Sequence, residues 1–481
     1  MFHHYFRSCC GTSPRYAYTF VSDCDSKSAT GCHSRRHSRH TGGRQRSRSS
    51  GVRRPLRYLS YHLGLEEKQM RLRYIEFLDE NGVRVFDLNA LYCLAHAGSP
   101  VMILAKLRVE TRCYHMPNAC MHALKKHILN GSFDMRRGRL QSPTFAYETW
   151  GRLNRDRDNA VLLFTGLSPS AHAASSPDDP STGWWEDVIG PGKPIDTNRF
   201  YVICVNSLGS CFGSTGPSSI DPITARPYRL TFPVLTVEDI ANGGAHILDN
   251  LGIDTLFAVA GASMGGMTAL AFALQFPGRY QGFVSISSAA RSLPFSIALR
   301  SLQREMIRND PAWLNGEYDV EHGPVSGMRL ARKLGMISYR SAWEWEARFG
   351  RERATIDVQD EDNPFGIDFE VEAYLEAHAN KFIGSFDPNC YLYLSRAMDL
   401  FDASDWGGST GAAMQRITAE RVLIIGVESD FLFPLQQQQE LAVALRSCIS
   451  DVDFQRLPSL QGHDSFLVDM DRFRPAIARF F

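Results

Sequence analysis

The chain has 481 residues, of which 44% are hydrophobic and 22% are charged, a composition typical of a globular protein in water. Lys and Arg together number 52, and so do Asp and Glu, so the net charge gives no reason to expect nucleic acid or an acidic surface as a partner. No apolar run is long enough to span a membrane. Apart from the adjacent Cys9 and Cys10, the 11 cysteines are scattered without paired short spacings, so we expect a cytoplasmic protein with reduced thiols and no metal.

The first 130 residues are predicted to be an N-terminal extension of a folded domain at 131–481. Its clearest feature is the Arg- and Ser-rich stretch CHSRRHSRHTGGRQRSRSSGVRRPLR at 32–57, which has no acidic residues and almost nothing apolar to bury. This composition predicts disorder. It is also typical of an organellar transit peptide or a nucleic-acid-binding segment. No aromatic or helical pattern is interleaved with the charges, so we favour a plain unstructured extension or a start codon placed too far upstream.

From about Phe133 the chain alternates between predicted strands and helices. Short apolar runs closed by Gly or Ser, typical of buried parallel strands, are NAVLLFTGLS, RFYVICVNSLGS, LFAVAGAS and RVLIIGVESD. Helical spacing is found in VLTVEDIANGGAHILDNLGI and FPLQQQQELAVALRS. The alternation predicts an α/β fold with a mostly parallel sheet and helices on both faces. The helical and aromatic segment at about 292–405 interrupts this rhythm and is predicted to be an inserted helical cap.

Two stretches match Gly-x-Ser-x-Gly, a pattern too short to identify a nucleophile by itself. GGSTG at 407–411 has no strand before it, so Ser409 is interpreted as a loop or cap serine. GASMG at 261–265 follows the apolar strand LFAVA and precedes the helix GMTALAFALQF. A strand, a tight turn and a helix in this order form the nucleophile elbow of α/β-hydrolases, which exposes the serine oxygen. We therefore favour Ser263 as a nucleophile over an ordinary turn serine.

A serine nucleophile needs a base, and the base needs an orienting acid. In this fold they follow in the order Ser, acid, His, on loops after late strands. Asp430 ends the run RVLIIGVESD, and His463 lies in the glycine-preceded loop LQGHDSFL. Glu428 is a rival acid that would still lie on the strand, and a solvated surface histidine is the alternative for His463. The predicted triad is Ser263, Asp430 and His463.

From about residue 135 to its end, the chain resembles the homoserine O-acetyltransferases, which are α/β-hydrolase-fold enzymes of methionine biosynthesis. The matching segments are AYETWGRLN, GSTGPSSIDPITARPYRLTFPVLTVEDI, GASMGGM, SDFLFP and GHDSFL. The resemblance implies a ping-pong reaction, in which an acyl-CoA acylates Ser263 and the hydroxyl of an amino acid then takes the acyl group with His463 as base. It implies small-molecule substrates, with acyl-CoA as a co-substrate and no bound cofactor, and it is consistent with a homodimer.

The same resemblance implies roles for further residues. The backbone N–H groups of Leu167 and Met264 would form the oxyanion hole. Arg332, in LARKLGMISY, matches the cap arginine that holds the amino-acid carboxylate, and a guanidinium suits a carboxylate because it donates two parallel hydrogen bonds. Asp464 matches the acidic residue that holds the amino group. The residues alone would favour a surface arginine and a helix-capping aspartate.

Two departures from the family pattern bear on the substrates. Gly166-Leu167-Ser168-Pro169 stands where typical homoserine acetyltransferases read Ala-Leu-Thr-Gly, and Arg300 stands where they carry an asparagine. A proline stiffens the loop beside the acceptor. A guanidinium near the acyl site could pair with the free carboxylate of a succinyl group, and an arginine that faces solvent is the alternative.

Both departures resemble the serine O-succinyltransferase branch of the family. The expected function is therefore serine O-succinyltransferase, which feeds cysteine biosynthesis by turning the serine hydroxyl into a leaving group. Homoserine O-acetyltransferase is the second interpretation. A plain serine hydrolase, in which water takes the acyl group, is the third.

Overall fold

A computed structural model describes residues 77–78, 84–85, 123–319, 321–355 and 363–481. The disorder predicted at 32–57, like most of the extension predicted at 1–130, lies outside the described residues. Phe77–Leu78 and Arg84–Val85 pair antiparallel with each other, in a unit separate from the rest of the described chain. No helix within the described ranges is long and apolar enough to cross a membrane.

One sheet of eight strands organises the rest of the described chain. In chain order its strands are β1 (Lys125–Ile128), β2 (Thr144–Trp150), β3 (Ala160–Phe164), β4 (Tyr201–Val205), β5 (Leu256–Ala262), β6 (Tyr280–Ile286), β7 (Arg421–Val427) and β8 (Asp451–Leu457). Across the sheet the order is β8-β7-β6-β5-β3-β4-β2-β1. Neighbours from β8 to β4 pair in parallel, while β2 runs antiparallel to both of its neighbours.

Two further short strand pairs lie outside this sheet in the described part of the chain. Ser132–Met135 and Gly138–Gln141 form an antiparallel hairpin, and Ile189–Gly190 pairs in parallel with Ile195–Asp196.

The edge strand β1 begins before the domain boundary predicted at 131. Its sequence, Lys125-Lys126-His127-Ile128, is mostly exposed and lacks the apolar continuity of the buried strands. Charged side chains on an edge strand discourage pairing with other chains. Because of these charges, the strand could not be recognised from apolar runs in the sequence. The sheet therefore begins a few residues inside the segment that was predicted to be an extension.

Helices connect the strands on both faces of the sheet. They are α1 (Val237–Leu251), α2 (Met264–Gln275), α3 (Pro294–Arg308), α4 (Val325–Tyr339), α5 (Ala342–Phe349), α6 (Glu370–Phe382), α7 (Pro388–Leu400), α8 (Thr410–Met414), α9 (Leu435–Arg446), α10 (Ser465–Val468) and α11 (Met470–Ala478). Short 3-10 turns lie at Arg229–Thr231, Pro311–Gly316, Ala403–Trp406 and Gly462–Asp464.

Strands β3 to β7 are buried on both faces, which explains why they are continuous apolar runs. Successive residues alternate between two cores: Leu162 of β3 packs in the core shared with α1 and α2, whereas Leu163 packs in the core shared with α11. Neither face of these inner strands needs polar residues, so no alternation is visible in their sequences. This is the predicted α/β architecture.

The segment predicted as a cap contains the five helices α3 to α7, between β6 and β7. Contacts at two places illustrate how it joins the carboxyl edge of the sheet. The Ser296 hydroxyl of α3 donates to the Leu432 carbonyl at 2.6 Å, and α4 packs against the turn at Gly462–Asp464. These contacts bring residues of α3 and α4 close to the loops that follow β7 and β8.

Candidate active site

Four predicted site residues follow four parallel strands. Leu167 follows β3, Ser263 directly follows β5, Asp430 follows β7 and His463 follows β8. The carboxyl ends of parallel strands open at one edge of a sheet, and α/β proteins bind their ligands there. Residues that are far apart in the sequence therefore meet at this edge.

Ser263 occupies a tight turn that only small neighbours permit. Its φ of 57° and ψ of −125° form a conformation that residues other than glycine rarely adopt and that surrounding structure must hold in place. A side chain at Gly261 would lie 2.1 Å from the carbonyl oxygen of Gly265, and one at Gly265 would lie 2.2 Å from that of Phe164. The two glycines of the pattern are therefore required because β5, α2 and β3 approach one another so closely.

Ser263, His463 and Asp430 form a continuous hydrogen-bonded chain. The Nε2 of His463 lies 2.8 Å from Ser263 Oγ, and its Nδ1 lies 2.7 Å from Asp430 Oδ2. The backbone N–H groups of Leu432 and Phe433 donate to Asp430 Oδ1 at 2.9 and 2.8 Å, which fixes the carboxylate. Its Oδ2 accepts the Nδ1 proton, and this leaves Nε2 as an acceptor for the serine proton. The chain can thus deprotonate Ser263 as it attacks a carbonyl carbon.

Aromatic rings enclose the imidazole of His463. Phe433 stacks on it with 5.0 Å between ring centroids, Phe466 meets it edge-on at 5.7 Å, and Tyr339 at the end of α4 lies at 6.0 Å. His463 and Asp430 are 4% and 3% exposed. The rings fix the imidazole plane and keep water away from its bond to Asp430, where a low local dielectric strengthens the interaction.

The two rival residues weighed from the sequence lie elsewhere. Glu428 comes directly after β7, is 39% exposed in its side chain and pairs with Arg456 at 2.6 Å. Ser409 is the N-cap residue of α8, where its hydroxyl accepts the N–H of Ala412 at 3.1 Å. Ser409 is therefore the cap serine that its sequence context predicts.

The backbone of Leu167 and Met264 lies beside the nucleophile. Met264 is the first residue of α2, and the first N–H groups of a helix have no carbonyl partner within it. Leu167 follows Phe164, the last residue of β3, which pairs in register with Gly261. The positive end of the helix also favours a developing negative charge at this point. Leu167 therefore lies in the loop that begins next to the nucleophile turn, and the oxyanion role of both N–H groups stays a prediction. In the predicted acceptor loop, Gly166 and Pro169 are buried, whereas Ser168 is half-buried.

A cavity of about 730 Å³ opens next to the turn at Gly462–Asp464. Its wall includes Arg332 of α4 and Asp464, which are 6% and 8% exposed. The wall reaches the residue next to His463 but not Ser263, so the cavity adjoins the triad. A buried cation and a buried anion in one wall fit a ligand that carries both charges. Among the described residues, no group of three or more His, Cys, Asp or Glu side chains could hold a metal ion.

The charge state of Asp464 fits the role predicted for it. Its Oδ2 lies 3.3 Å from Arg340 Nε. Burial by itself favours the neutral acid, but nearby positive charges, Arg340 and Arg332 among them, hold the pKa of Asp464 below its ordinary value. Asp464 is therefore ionised at neutral pH, as a group that holds an ammonium must be. The guanidinium of Arg332 lies over the ring of Phe382 at 4.7 Å.

Arg300 does not face solvent: it is 5% exposed on the inner face of α3. Its Nε lies 2.6 Å from Asp399 Oδ1 of α7, and one terminal nitrogen donates to Ser292 Oγ at 2.6 Å. Arg304, one turn further along α3, lies 2.7 Å from the same carboxylate. Two guanidinium groups therefore share one carboxylate. The Nη1 of Arg300 is buried and has no hydrogen-bond partner among the described residues.

Sequence reasoning missed three residues at this site. Tyr339 lies seven residues after Arg332, which is about two helical turns, so its place on the same face of α4 could have been inferred. Arg340 and Asp399 carried no such signal, because their partners Asp464 and Arg300 lie on distant segments.

Ser, Asp and His in this chain order, at the carboxyl edge of a mostly parallel sheet, define the class of α/β-hydrolase-fold proteins with a serine nucleophile. A family model described as the alpha/beta hydrolase fold matches residues 159–469. The chain is 58% identical over 346 residues to the serine O-succinyltransferase of Litchfieldella anticariensis. The aligned region covers 72% of this chain and 94% of that protein. It is 56% identical over 356 residues to the L-serine/homoserine O-acetyltransferase of Streptomyces lavendulae, covering 73% and 95%.

A solved structure agrees with these relatives. The crystal structure of homoserine O-acetyltransferase from Bacillus anthracis matches with a TM-score of 0.69 at 28% identity, covering 74% of this chain and 96% of that one. The chain therefore belongs to the α/β-hydrolase fold family and, within it, to the group of homoserine and serine O-acyltransferases that these proteins represent. The fold and the family predicted from the sequence are confirmed.

Proposed function

We propose that this protein is a serine O-succinyltransferase of the cytoplasm, which moves a succinyl group from succinyl-CoA to the hydroxyl of L-serine and so feeds cysteine biosynthesis. The observation that carries the proposal is the chain from Asp430 through His463 to Ser263, beside a cavity wall that contains Arg332 and Asp464. A relative that bears this name is 58% identical over 94% of its length, which supports the proposal. A homodimer, with which the family resemblance is consistent, is part of the proposal.

In the first half-reaction, Ser263 Oγ attacks the thioester carbonyl carbon of succinyl-CoA while His463 Nε2 takes the serine proton. The carbonyl oxygen becomes an oxyanion, which the N–H groups of Leu167 and Met264 stabilise. The carbon–sulfur bond then breaks, and the sulfur of CoA leaves with the proton that His463 holds. Ser263 is left as a succinyl ester.

In the second half-reaction, L-serine occupies the acceptor site, and its hydroxyl gives a proton to His463 as it attacks the ester carbonyl. The bond to Ser263 Oγ breaks, and His463 returns the proton to that oxygen. O-succinylserine leaves and the enzyme is restored. Asp430 orients the imidazole in both halves and stabilises the imidazolium. These residues account for each proton and each bond, so acyl-CoA is proposed as a co-substrate with no resident metal or cofactor.

Charge placement supports an amino acid as the acceptor. Arg332 can donate two parallel hydrogen bonds to the carboxylate, and ionised Asp464 can accept from the ammonium group. Pro169 is buried in the loop that carries Leu167, and its fixed φ limits the space beside the oxyanion donors. Homoserine is one methylene longer than serine, and a pocket distinguishes one methylene by about 1–3 kcal/mol. We therefore propose a preference for serine.

The cluster around Arg300 supports succinyl as the acyl group. Arg300 and Arg304 share the single carboxylate of Asp399, which leaves an excess positive charge and a buried donor, Nη1 of Arg300. A succinyl group brings the carboxylate that this cluster lacks. An acetyl group would leave the donor unpaired, and an unpaired buried donor is costly.

Acetyl transfer is the second candidate. It is supported by the L-serine/homoserine O-acetyltransferase that is 56% identical to this chain. Asp399 already occupies the Nε of Arg300, so an acetyl group would leave that ion pair intact. A serine hydrolase is the third candidate, because water can attack the same ester without Arg332 or Asp464.

The test follows CoA release by the full chain with each pairing of acetyl-CoA or succinyl-CoA with L-serine or L-homoserine. The same pairings are repeated with Arg300→Asn, and Arg308→Asn, exposed at the end of the same helix, is the matched control. We expect succinyl-CoA with L-serine to give the highest kcat/KM. Arg300→Asn should reduce the preference for succinyl-CoA by about 10²-fold or more, because it removes a buried hydrogen-bonding group.

The other outcomes distinguish the three candidates. A wild-type preference for acetyl-CoA would contradict succinyl transfer and support the second candidate. CoA release at an equal rate without any amino acid would mean a hydrolase. If Arg300→Asn and Arg308→Asn changed the preference for succinyl-CoA equally, Arg300 would have no specific role in choosing the acyl group.

A further inference from the structure

A buried histidine holds the loop that follows β3. His172 is 8% exposed, and its Nδ1 lies 2.9 Å from Glu148 Oε2 on β2. Its Nε2 lies 3.0 Å from the carbonyl oxygen of Ser181, and Asp179 Oδ2 is 3.7 Å from Nδ1. Glu148 and Asp179 are 5% and 4% exposed. The triad chemistry makes no use of this buried imidazole between two buried carboxylates.

The partners of His172 determine its protonation. The Ser181 carbonyl can only accept, and the Ser181 hydroxyl, 3.1 Å from Nε2, donates its own proton to Asp179 Oδ1, so Nε2 carries a proton. Nδ1 faces the Glu148 carboxylate, which also accepts. Burial alone would lower the pKa of His172, but the hydrogen bond and charge of Glu148, with the Ser181 carbonyl and Asp179, raise it above its ordinary value. His172 is therefore held as an imidazolium, and the two carboxylates fix it to β2 and to its own loop.

The same loop connects the predicted oxyanion donor to the cavity. Leu167 lies five residues before His172. The backbone N–H of Trp184 donates to the His172 carbonyl at 3.3 Å, so the returning limb of the loop pairs with the limb that carries the histidine. Trp184 and Trp185 line the cavity, and Trp185 Nε1 donates to the Phe466 carbonyl at 2.9 Å, close to His463. A shift of His172 would therefore move both the start of the loop and the cavity wall.

We propose that His172, paired with Glu148 and Asp179, is a positioning residue that holds the Leu167 N–H at the oxyanion site. The proposal rests on the proposed acyl transfer through Ser263. The loop cannot move from β2 without separating a buried ion pair, which is strongly unfavourable. Precise placement is needed because a displacement of about 1 Å in a catalytic constellation can cost about 10²-fold in rate.

The ion pair gives the proposal a pH signature. Other titratable groups lie on this side. Cys204 of β4 lies opposite Glu148 in register, and Glu186, which pairs with Lys193 at 2.9 Å, accepts the backbone N–H groups of Ser175 and Gly183 from the same loop. Burial raises the pKa of the Cys204 thiol well above its ordinary value, so it stays neutral. Because the pKa of His172 is raised, its ion pair is complete at lower pH and is lost as pH rises through that pKa. Acylation should then slow on the alkaline side.

The experiment compares the full-length wild type with His172→Gln from neutral to alkaline pH. His322→Gln is the matched control, because His322 is a highly exposed histidine of the cap segment. The readouts are succinyl transfer and the acylation burst with p-nitrophenyl acetate. We expect His172→Gln to lower the acylation rate about 10²-fold and to lose the alkaline decline, while KM for serine changes by less than about twofold. His322→Gln should behave as the wild type.

A second variant keeps the proposal testable if His172→Gln does not fold. Glu148→Gln preserves the shape of the side chain but removes the charge that raises the pKa, so the alkaline decline should move to lower pH. An unchanged pH profile in Glu148→Gln would overturn the proposal. The proposal would also be overturned if the lower acylation rate of His172→Gln returned to the wild-type value once rates were expressed per titrated active site. The ester burst reports acylation of Ser263 whichever donor is natural, so failure of this proposal is distinct from failure of succinyl transfer.

Discussion

Replacing Asp430 with asparagine would reverse one hydrogen bond of the triad and keep the shape of the side chain. The N–H groups of Leu432 and Phe433 donate to Oδ1 at 2.9 and 2.8 Å, so the one oxygen of the asparagine has to stay there. The new NH₂ group then points at His463 Nδ1, where Oδ2 now lies at 2.7 Å. An NH₂ group only donates, so the imidazole must carry its proton on Nε2. In that tautomer Nε2 cannot accept the proton of Ser263.

The expected loss follows from this tautomer. The equivalent change in a serine-protease triad lowers kcat about 10⁴-fold, and we expect a loss of the same size here. It corresponds to about 5.5 kcal/mol of transition-state free energy. The folded state keeps its hydrogen bonds to Leu432 and Phe433, so the free energy of unfolding should change by no more than about 1 kcal/mol. Catalysis and stability should therefore separate.

Stopped-flow measurement of CoA release from succinyl-CoA tests the prediction, with chemical denaturation of the same samples. Asp451→Asn, an exposed aspartate at the start of β8, is the control and should keep both properties. If Asp430→Asn kept about a tenth or more of the wild-type rate, the tautomer argument would be refuted, since general-base catalysis alone supplies about 10²–10⁴-fold.

Three further predictions concern other parts of the site. Arg332→Lys should raise KM for L-serine by about tenfold without slowing acylation by succinyl-CoA, because lysine keeps the charge but loses the two parallel hydrogen bonds. Steady-state kinetics at saturating succinyl-CoA would measure this change in KM. Gly265→Ala should destabilise the fold by about 1–3 kcal/mol, as the added methyl would meet the Phe164 carbonyl oxygen at 2.2 Å, and an unchanged thermal midpoint would contradict this. Ser409→Ala should lose about 1 kcal/mol of stability through its N-cap and no activity, which separates the two Gly-x-Ser-x-Gly stretches in a single activity assay.

The parts of the site that were predictable from the sequence have local causes. Gly261 and Gly265 are required because a side chain at either position would collide with a neighbouring backbone carbonyl. The apolar strand that precedes Ser263 is visible in the adjacent sequence. Asp430 follows β7, which is buried on both faces and so stands out as an apolar run. His463 follows the partly buried edge strand β8, and it was located by the glycine before it and by chain order. Chain order then assigned each residue to its place at the carboxyl edge of the sheet.

The parts that were not predictable depend on contacts between distant segments. Asp399 pairs with Arg300 across two helices of the cap, and Arg340 pairs with Asp464 across more than a hundred residues of chain. His172 has no motif around it, and only the fold brings it to Glu148. The charged strand β1 was missed because an edge strand needs no apolar run.

The proposed reaction passes through a succinyl ester on Ser263. The most direct test incubates the protein with succinyl-CoA in the absence of L-serine and measures intact mass, followed by peptide mapping. We predict a gain of about 100 Da on the peptide that contains Ser263, discharged when L-serine is added. The adduct should be absent from Ser263→Ala and present in Ser409→Ala. An adduct on another residue, or CoA release that survives in Ser263→Ala, would contradict the account.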